Sequence, residues 1–319
     1  MLGLLLDGGL RMRSDLPRPE AAAGEARVRM RCAGVCDTDL QLAKGYMGFR
    51  GVPGHEVVGE VLESSDPRWR GKRVVCDINA GCGQCTECVD GDSHHCRARS
   101  VLGILNRDGA FAEEFVMPER TLVEVPDALA DAVAVFAEPL AAALHVLDVE
   151  AARHATRVAV VGDGKLGLLI AAALAASGKA VQVVGHHQEK LDLASTFGAR
   201  GVLEAEFDPT TEPFDAVVEA SGSASGLDLA LRAVRPRGTV ILKTTIAGNA
   251  ELDLSPVVIH ELALVGNRCG SMSRAVALLA SGKLDPLPLI AARYPLSRAL
   301  EAFEHAARRG TLKVLVDGR

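Results

Sequence analysis

The stretch Val158-Ala-Val-Val161-Gly162-Asp-Gly164-Lys165-Leu166-Gly167, running on into Leu168-Leu-Ile-Ala-Ala-Ala-Leu-Ala-Ala176, decides the fold. Four strand-type apolar residues enter a glycine loop. The loop opens an apolar helical segment that Gly178 closes. A lone G-x-G-x-x-G carries little weight. Here residues 181–184 supply the next strand, and a strand–loop–helix–strand setting is what gives the motif meaning. The glycines permit a tight turn and close approach of a pyrophosphate, whose charge the helix N-terminus favours. Gly162, Gly164, Lys165, Leu166 and Gly167 are therefore candidate dinucleotide-binding residues.

Working downstream, a helix is expected over about 188–197, with strands at 201–203, 215–219, 239–243 and 262–265. Six strands alternating with helices predict an α/β fold with a doubly wound parallel sheet. Upstream, residues 1 to about 126 read as β-rich, with frequent Gly and Pro punctuation. In Glu25-Ala-Arg-Val-Arg-Met-Arg-Cys32 the alternation sends Val28, Met30 and Cys32 inward and Arg27, Arg29 and Arg31 outward. The tail from about 268 predicts helices at 274–280 and 296–307 and ends in the strand-like Lys313-Val-Leu-Val-Asp317.

A chain of 319 residues suits two domains. Apolar residues make up 48% but aromatics only 3%, so Val, Leu and Ala must do the packing. The net charge of −6 and the lack of a Lys/Arg-rich run speak against nucleic acid as a partner. No stretch of about 20 residues is apolar enough to span a membrane, and the start has no basic signal region; a cytoplasmic location is expected.

Two groups of metal-ligand types stand out. Cys82-x2-Cys85-x2-Cys88-x7-Cys96 offers four thiolates to one tetrahedral ion, and in an intracellular chain such a cluster reads as a metal site rather than disulfides. A closed four-sulfur shell suits structural zinc, although iron–sulfur clusters use similar ligands. Separately, Cys36 is followed nineteen residues later by His55 and Glu56, a thiolate, an imidazole and a carboxylate. Taken alone, such a cysteine is equally a small buried hydrophobe.

The runs Gly34-Val-Cys36-Asp-Thr38-Asp39, Gly54-His55-Glu56-Val-Val-Gly59, the four-cysteine lobe, Glu138-Pro-Leu-Ala141, the glycine loop and Val218-Glu-Ala-Ser-Gly222 occur in this order over nearly the whole chain. Together they resemble the medium-chain dehydrogenase/reductase superfamily, in its zinc-containing alcohol and polyol dehydrogenase branch. The resemblance implies a GroES-like β-rich catalytic domain over 1–137, completed by 268–319, and a Rossmann domain over 138–267. It implies two zinc ions per chain. Cys82, Cys85, Cys88 and Cys96 would hold the structural one. Cys36 and His55, with Glu56 or Glu138, would hold the catalytic one, and Asp39 would fix the His55 ring. Thr38 would hydrogen-bond the substrate oxygen and pass its proton outward, while the nicotinamide exchanges the hydride. Gln41 stands where many relatives carry a proton-relay histidine.

The implied activity interconverts an alcohol, secondary or polyol favoured, with a ketone or aldehyde, in a homodimer or homotetramer. A non-catalytic NAD(P)-sensing relative, a zinc-bearing interaction module and a zinc-free quinone-reductase-like enzyme are the competing readings. For the cofactor, NAD-specific domains usually place an acid at the end of the second strand. Here that end is Gly185-His186-His187, with no acid before Glu189; His186, His187 and Lys190 are free to meet a 2′-phosphate, so NADP is favoured over NAD.

Overall fold

The computed structural model describes residues 1–244 and 252–318. They form two compact units, one from Met1–Glu138 and Met272–Arg319, the other from Pro139–Ser271. No helix among the described residues is long and apolar enough to cross a membrane.

The first unit opens with an antiparallel hairpin, β1 (Gly3–Leu6) and β2 (Leu10–Arg13). Strands β3 (Glu25–Val35), β4 (Glu56–Ser64) and β5 (Arg73–Cys76) follow. A small ribbon of β6 (Asn79–Ala80) and β7 (Ser100–Val101) brackets the four-cysteine lobe. Then come β8 (Glu114–Pro118) and β9 (Leu122–Glu124). The alternation along β3 holds. Val28, Met30 and Cys32 are buried, and Arg29 and Arg31 are exposed. Arg27 lies half-buried instead, because Glu63 and Glu114 both accept its guanidinium.

The second unit is built on β10 (Arg157–Val161), β11 (Ala180–Gly185), β12 (Arg200–Leu203), β13 (Phe214–Glu219), β14 (Val234–Leu242) and β15 (Ala263–Gly266). All pair in parallel, in the order β12-β11-β10-β13-β14-β15. This is the doubly wound order, with its switch point between β10 and β13. Strand β14 begins five residues before the 239–243 that apolar pattern alone predicts. Pro236, Arg237 (φ 60°) and Gly238 interrupt its early part, and the register against β13 shifts there.

The chain then returns to the first unit as β16 (Ile290–Pro295) and β17 (Lys313–Asp317), which complete a seven-stranded sheet by pairing β17 antiparallel to β3. The helix expected at 296–307 is a 3-10 turn, Leu296–Arg298, leading into Ala299–Ala306. Ala299, Ala302, Phe303 and Ala306 form its buried stripe. Phe303 meets Phe111 edge-on with ring centroids 5.0 Å apart, which ties the returning tail to the core of the amino-terminal sheet.

Candidate active site

Cys36 follows β3 and caps the helix Asp37–Ala43; His55 and Glu56 lead into β4, which pairs beside β3 with Glu56 opposite Gly34. Strand pairing thus removes the nineteen-residue gap. One ligand atom from each of Cys36, His55 and Glu56 lies within 4.8 Å of the others.

Asp39 supports the group from the first turn of that helix. Its Oδ2 accepts the Cys36 N–H at 2.8 Å, and its Oδ1 stands 3.3 Å from His55 Nδ1. Both of these last two atoms are buried and make no hydrogen bond. Their separation is that of an ion pair. With Nδ1 turned to Asp39, Nε2 is the nitrogen left for a metal. Burial opposes charge on the imidazole, yet Asp39 and Cys36 outweigh it and hold the His55 pKa well above the ordinary histidine range. The pocket therefore favours positive charge, which fits a divalent cation on thiolate, imidazole and carboxylate. Thr38 Oγ1 lies 3.7 Å from Cys36 Sγ, and Gln41 is exposed.

Cys82, Cys85, Cys88 and Cys96 likewise converge within 4.8 Å. Gly81 makes room, since a Cβ there would lie 2.6 Å from Cys88 Sγ. Backbone N–H groups of Gln84 and Cys85 lower the Cys82 thiol to about 6. At Cys85 the Cys88 N–H pulls the same way, but Glu87 and the neighbouring sulfurs push that thiol up. Crowded thiols of this kind are relieved by a shared cation.

In the second unit the glycine loop follows β10. Gly162 has φ +119°, and a Cβ on it would sit 2.7 Å from the Ala220 carbonyl. Gly164 caps the helix Lys165–Ala176 and has open space beside it. Close approach of a pyrophosphate needs that space. Lys165 and Gly167 are buried in the first turns of this helix, and Leu166 is partly buried. Across the switch point, buried Glu219 accepts from the Ser221 N–H at 2.7 Å and from Thr244 Oγ1 at 2.6 Å.

Comparison with known proteins agrees with this layout. Residues 22–127 match the alcohol dehydrogenase GroES-like domain, and residues 166–281 match the zinc-binding dehydrogenase model. The L-threonine 3-dehydrogenase of Anaeromyxobacter sp. (strain Fw109-5) is 31% identical, over 97% of this chain and 96% of that protein. The chain belongs to the zinc-dependent medium-chain dehydrogenase/reductase superfamily. A zinc-binding dehydrogenase of Sinorhizobium meliloti 1021, solved with NADP, resembles this dehydrogenase with TM-score 0.89 and 28% identity over 99% and 98% of the two chains. The Escherichia coli CFT073 alcohol dehydrogenase rspB, solved with NADH, gives TM-score 0.90 and 25% identity over 99% of each chain.

Two features of the dehydrogenase's site escaped sequence reasoning. The first is Lys313, at the start of β17. It is 2% exposed and donates to Glu56 Oε2, 257 positions away in sequence. Gly34 leaves the room for this pair, because a Cβ there would overlap the Glu56 carboxylate. The available signal was a lysine opening an otherwise apolar strand. The second is Asp163, between the glycines of the loop.

Glu138, by contrast, was expected at the metal. It begins the helix Ala137–Leu144 but stands outside the close trio. Burial, together with the charge of Glu56 and against the pull of His55 and Lys313, pushes its carboxyl up to about 7. Tyr46 and Met47 are 48% and 51% exposed. Replacing Lys313 by methionine should strand the Glu56 charge in the interior and lower stability by about 3–5 kcal/mol in urea unfolding. Adding Glu56→Gln should recover most of that loss. A single variant as stable as the parent would mean the pair is not a buried ion pair.

Proposed function

We propose that this dehydrogenase oxidises a secondary alcohol or polyol to a ketone, or runs the reverse reduction, with a nicotinamide dinucleotide and a zinc held by Cys36, His55 and either Glu56 or Glu138. The convergence of the Cys36, His55 and Glu56 ligand atoms beside Thr38 carries this reading. The L-threonine 3-dehydrogenase relatives support a secondary alcohol, since the C3 hydroxyl of threonine is one.

When bound, zinc supplies Lewis-acid chemistry that makes an alcohol hydroxyl acidic near neutral pH. The chain's own residues do the rest. Asp39 fixes the His55 tautomer so that Nε2 keeps its lone pair. Thr38 accepts the substrate proton and passes it outward. Gln41 does not titrate, so the proton leaves through water or cofactor hydroxyls. The loop Gly162–Gly167 seats the pyrophosphate, and the cofactor carries the hydride.

The second zinc is assigned to Cys82, Cys85, Cys88 and Cys96, giving two per chain. Domains over 1–137 with 268–319 and over 138–267, and a cytoplasmic setting, remain part of the proposal. An oligomer, dimer or tetramer, is proposed by family likeness. Between the cofactors the expectation of NADP gives way to NAD, because His186, His187 and Lys190 each face an acid.

The test is a panel of primary alcohols, secondary alcohols, polyols and sugars offered to zinc-loaded protein with NAD and NADP in parallel. Reduced nucleotide should appear on a secondary alcohol or polyol. Nucleotide binding with no turnover on any member of the panel would move the chain to a sensing role.

A further inference from the structure

The end of β11 lacks a strand-borne acid, yet it does not lack a carboxylate. Asp163 reaches it from the glycine loop. Its Oδ2 accepts the N–H of His186 at 2.7 Å, the N–H of His187 at 2.8 Å, and lies 3.0 Å from His187 Nδ1. Gly185, the last residue of β11, is what lets it in: a Cβ there would come within 2.6 Å of the Asp163 carboxyl carbon. An acid on the strand at Gly185 and Asp163 in the loop are therefore mutually exclusive.

The neighbouring basic side chains already have partners. His187 pairs with Asp163, and Lys190, 7% exposed, acts on the same carboxylate. His186 Nε2 stands 3.3 Å from Glu204 Oε2. A 2′-phosphate arriving here would meet two carboxylates, and the N–H groups it would use are taken. A ribose 2′-hydroxyl would meet an acceptor instead, because the His186 and His187 bonds to Asp163 all fall on Oδ2, and Oδ1 has no protein donor among the described residues.

We infer that Asp163 is the cofactor-selecting residue of this dehydrogenase: its Oδ1 receives the adenosine 2′-hydroxyl of NAD, and its charge turns away the 2′-phosphate of NADP. The assignment rests on the dinucleotide-binding reading above. It moves the acid of the second strand into the G-x-G turn, at the same end of β11.

Nicotinamide fluorescence titration of the zinc-loaded protein tests it. The parent should bind NADH at least tenfold more tightly than NADPH. Asp163→Asn keeps a carbonyl oxygen for the His186 and His187 N–H groups, so the turn should survive. It should weaken NADH about tenfold, the scale of one charge-assisted hydrogen bond, while NADPH holds or tightens. NADH lacking the 2′-hydroxyl should lose about the same factor on the unaltered protein, a measurement that needs no variant. A parallel loss of both cofactors in Asp163→Asn, or tighter NADPH in the parent, would overturn the assignment and leave the dehydrogenase reading standing. No binding of either nucleotide by the parent would overturn both.

Discussion

Turnover should fall at least a thousandfold when Cys36 becomes serine or His55 becomes alanine, with the circular dichroism spectrum unchanged. A thousandfold is about 4 kcal/mol of transition-state stabilisation, a modest share of what a Lewis-acid metal supplies. Both side chains lie at the close trio; Asp39 accepts the Cys36 backbone N–H and stands 3.3 Å from His55 Nδ1. Serine at 36 preserves volume and the Asp39 bond to the backbone N–H, so it separates loss of a ligand from loss of fold. Alanine at 55 additionally removes the group facing the buried Asp39 Oδ1, and some stability should go with it. Metal analysis should find the zinc content of either variant down from two to one per chain. Near-normal turnover in a one-zinc variant would remove the catalytic assignment.

The four-cysteine lobe should fail differently. Between Cys82 and Arg99 only Cys96 is buried, so there is almost no apolar core to hold the segment. The metal site proposed there would supply what an apolar core does not, since structural zinc sites contribute folding free energy directly. Cys88→Ser, or Cys85→Ser, should lower Tm by on the order of 10 °C in differential scanning fluorimetry, for a loss of several kcal/mol in a unit of this size. One zinc should again be lost, this time with Tm moving first. An unchanged Tm in Cys88→Ser would mean the lobe is not metal-clamped.

Much of this arrangement was legible because its signals are local. The order β10, glycine loop, helix, β11 sits within thirty consecutive residues, and the cysteine spacing fixes a ligand set without knowledge of the fold. The alternation along β3 was readable for the same reason. What could not be read depends on pairing across the chain. Glu56 looked like a free ligand because its partner, Lys313, joins only when β17 docks on β3. The end of β11 looked free of acid because Asp163 lies 24 positions before His187 and reaches it only through the parallel register of β10 and β11. Strand β14 was misjudged at its start because Pro236 and Gly238 obscure its periodicity.

The Lys313–Glu56 contact also imposes an order on synthesis. The four cysteines emerge from the ribosome nearly together, and the zinc proposed for them could be captured while the chain is still growing. Glu56 must wait for a partner 257 positions behind it. At about 5–20 residues per second that is roughly 10–50 s, during which the nascent pocket holds an unmatched acid. Metal loading of the proposed pocket would then wait for the completed chain, and a product cut short before residue 313 would lack the lysine that matches Glu56.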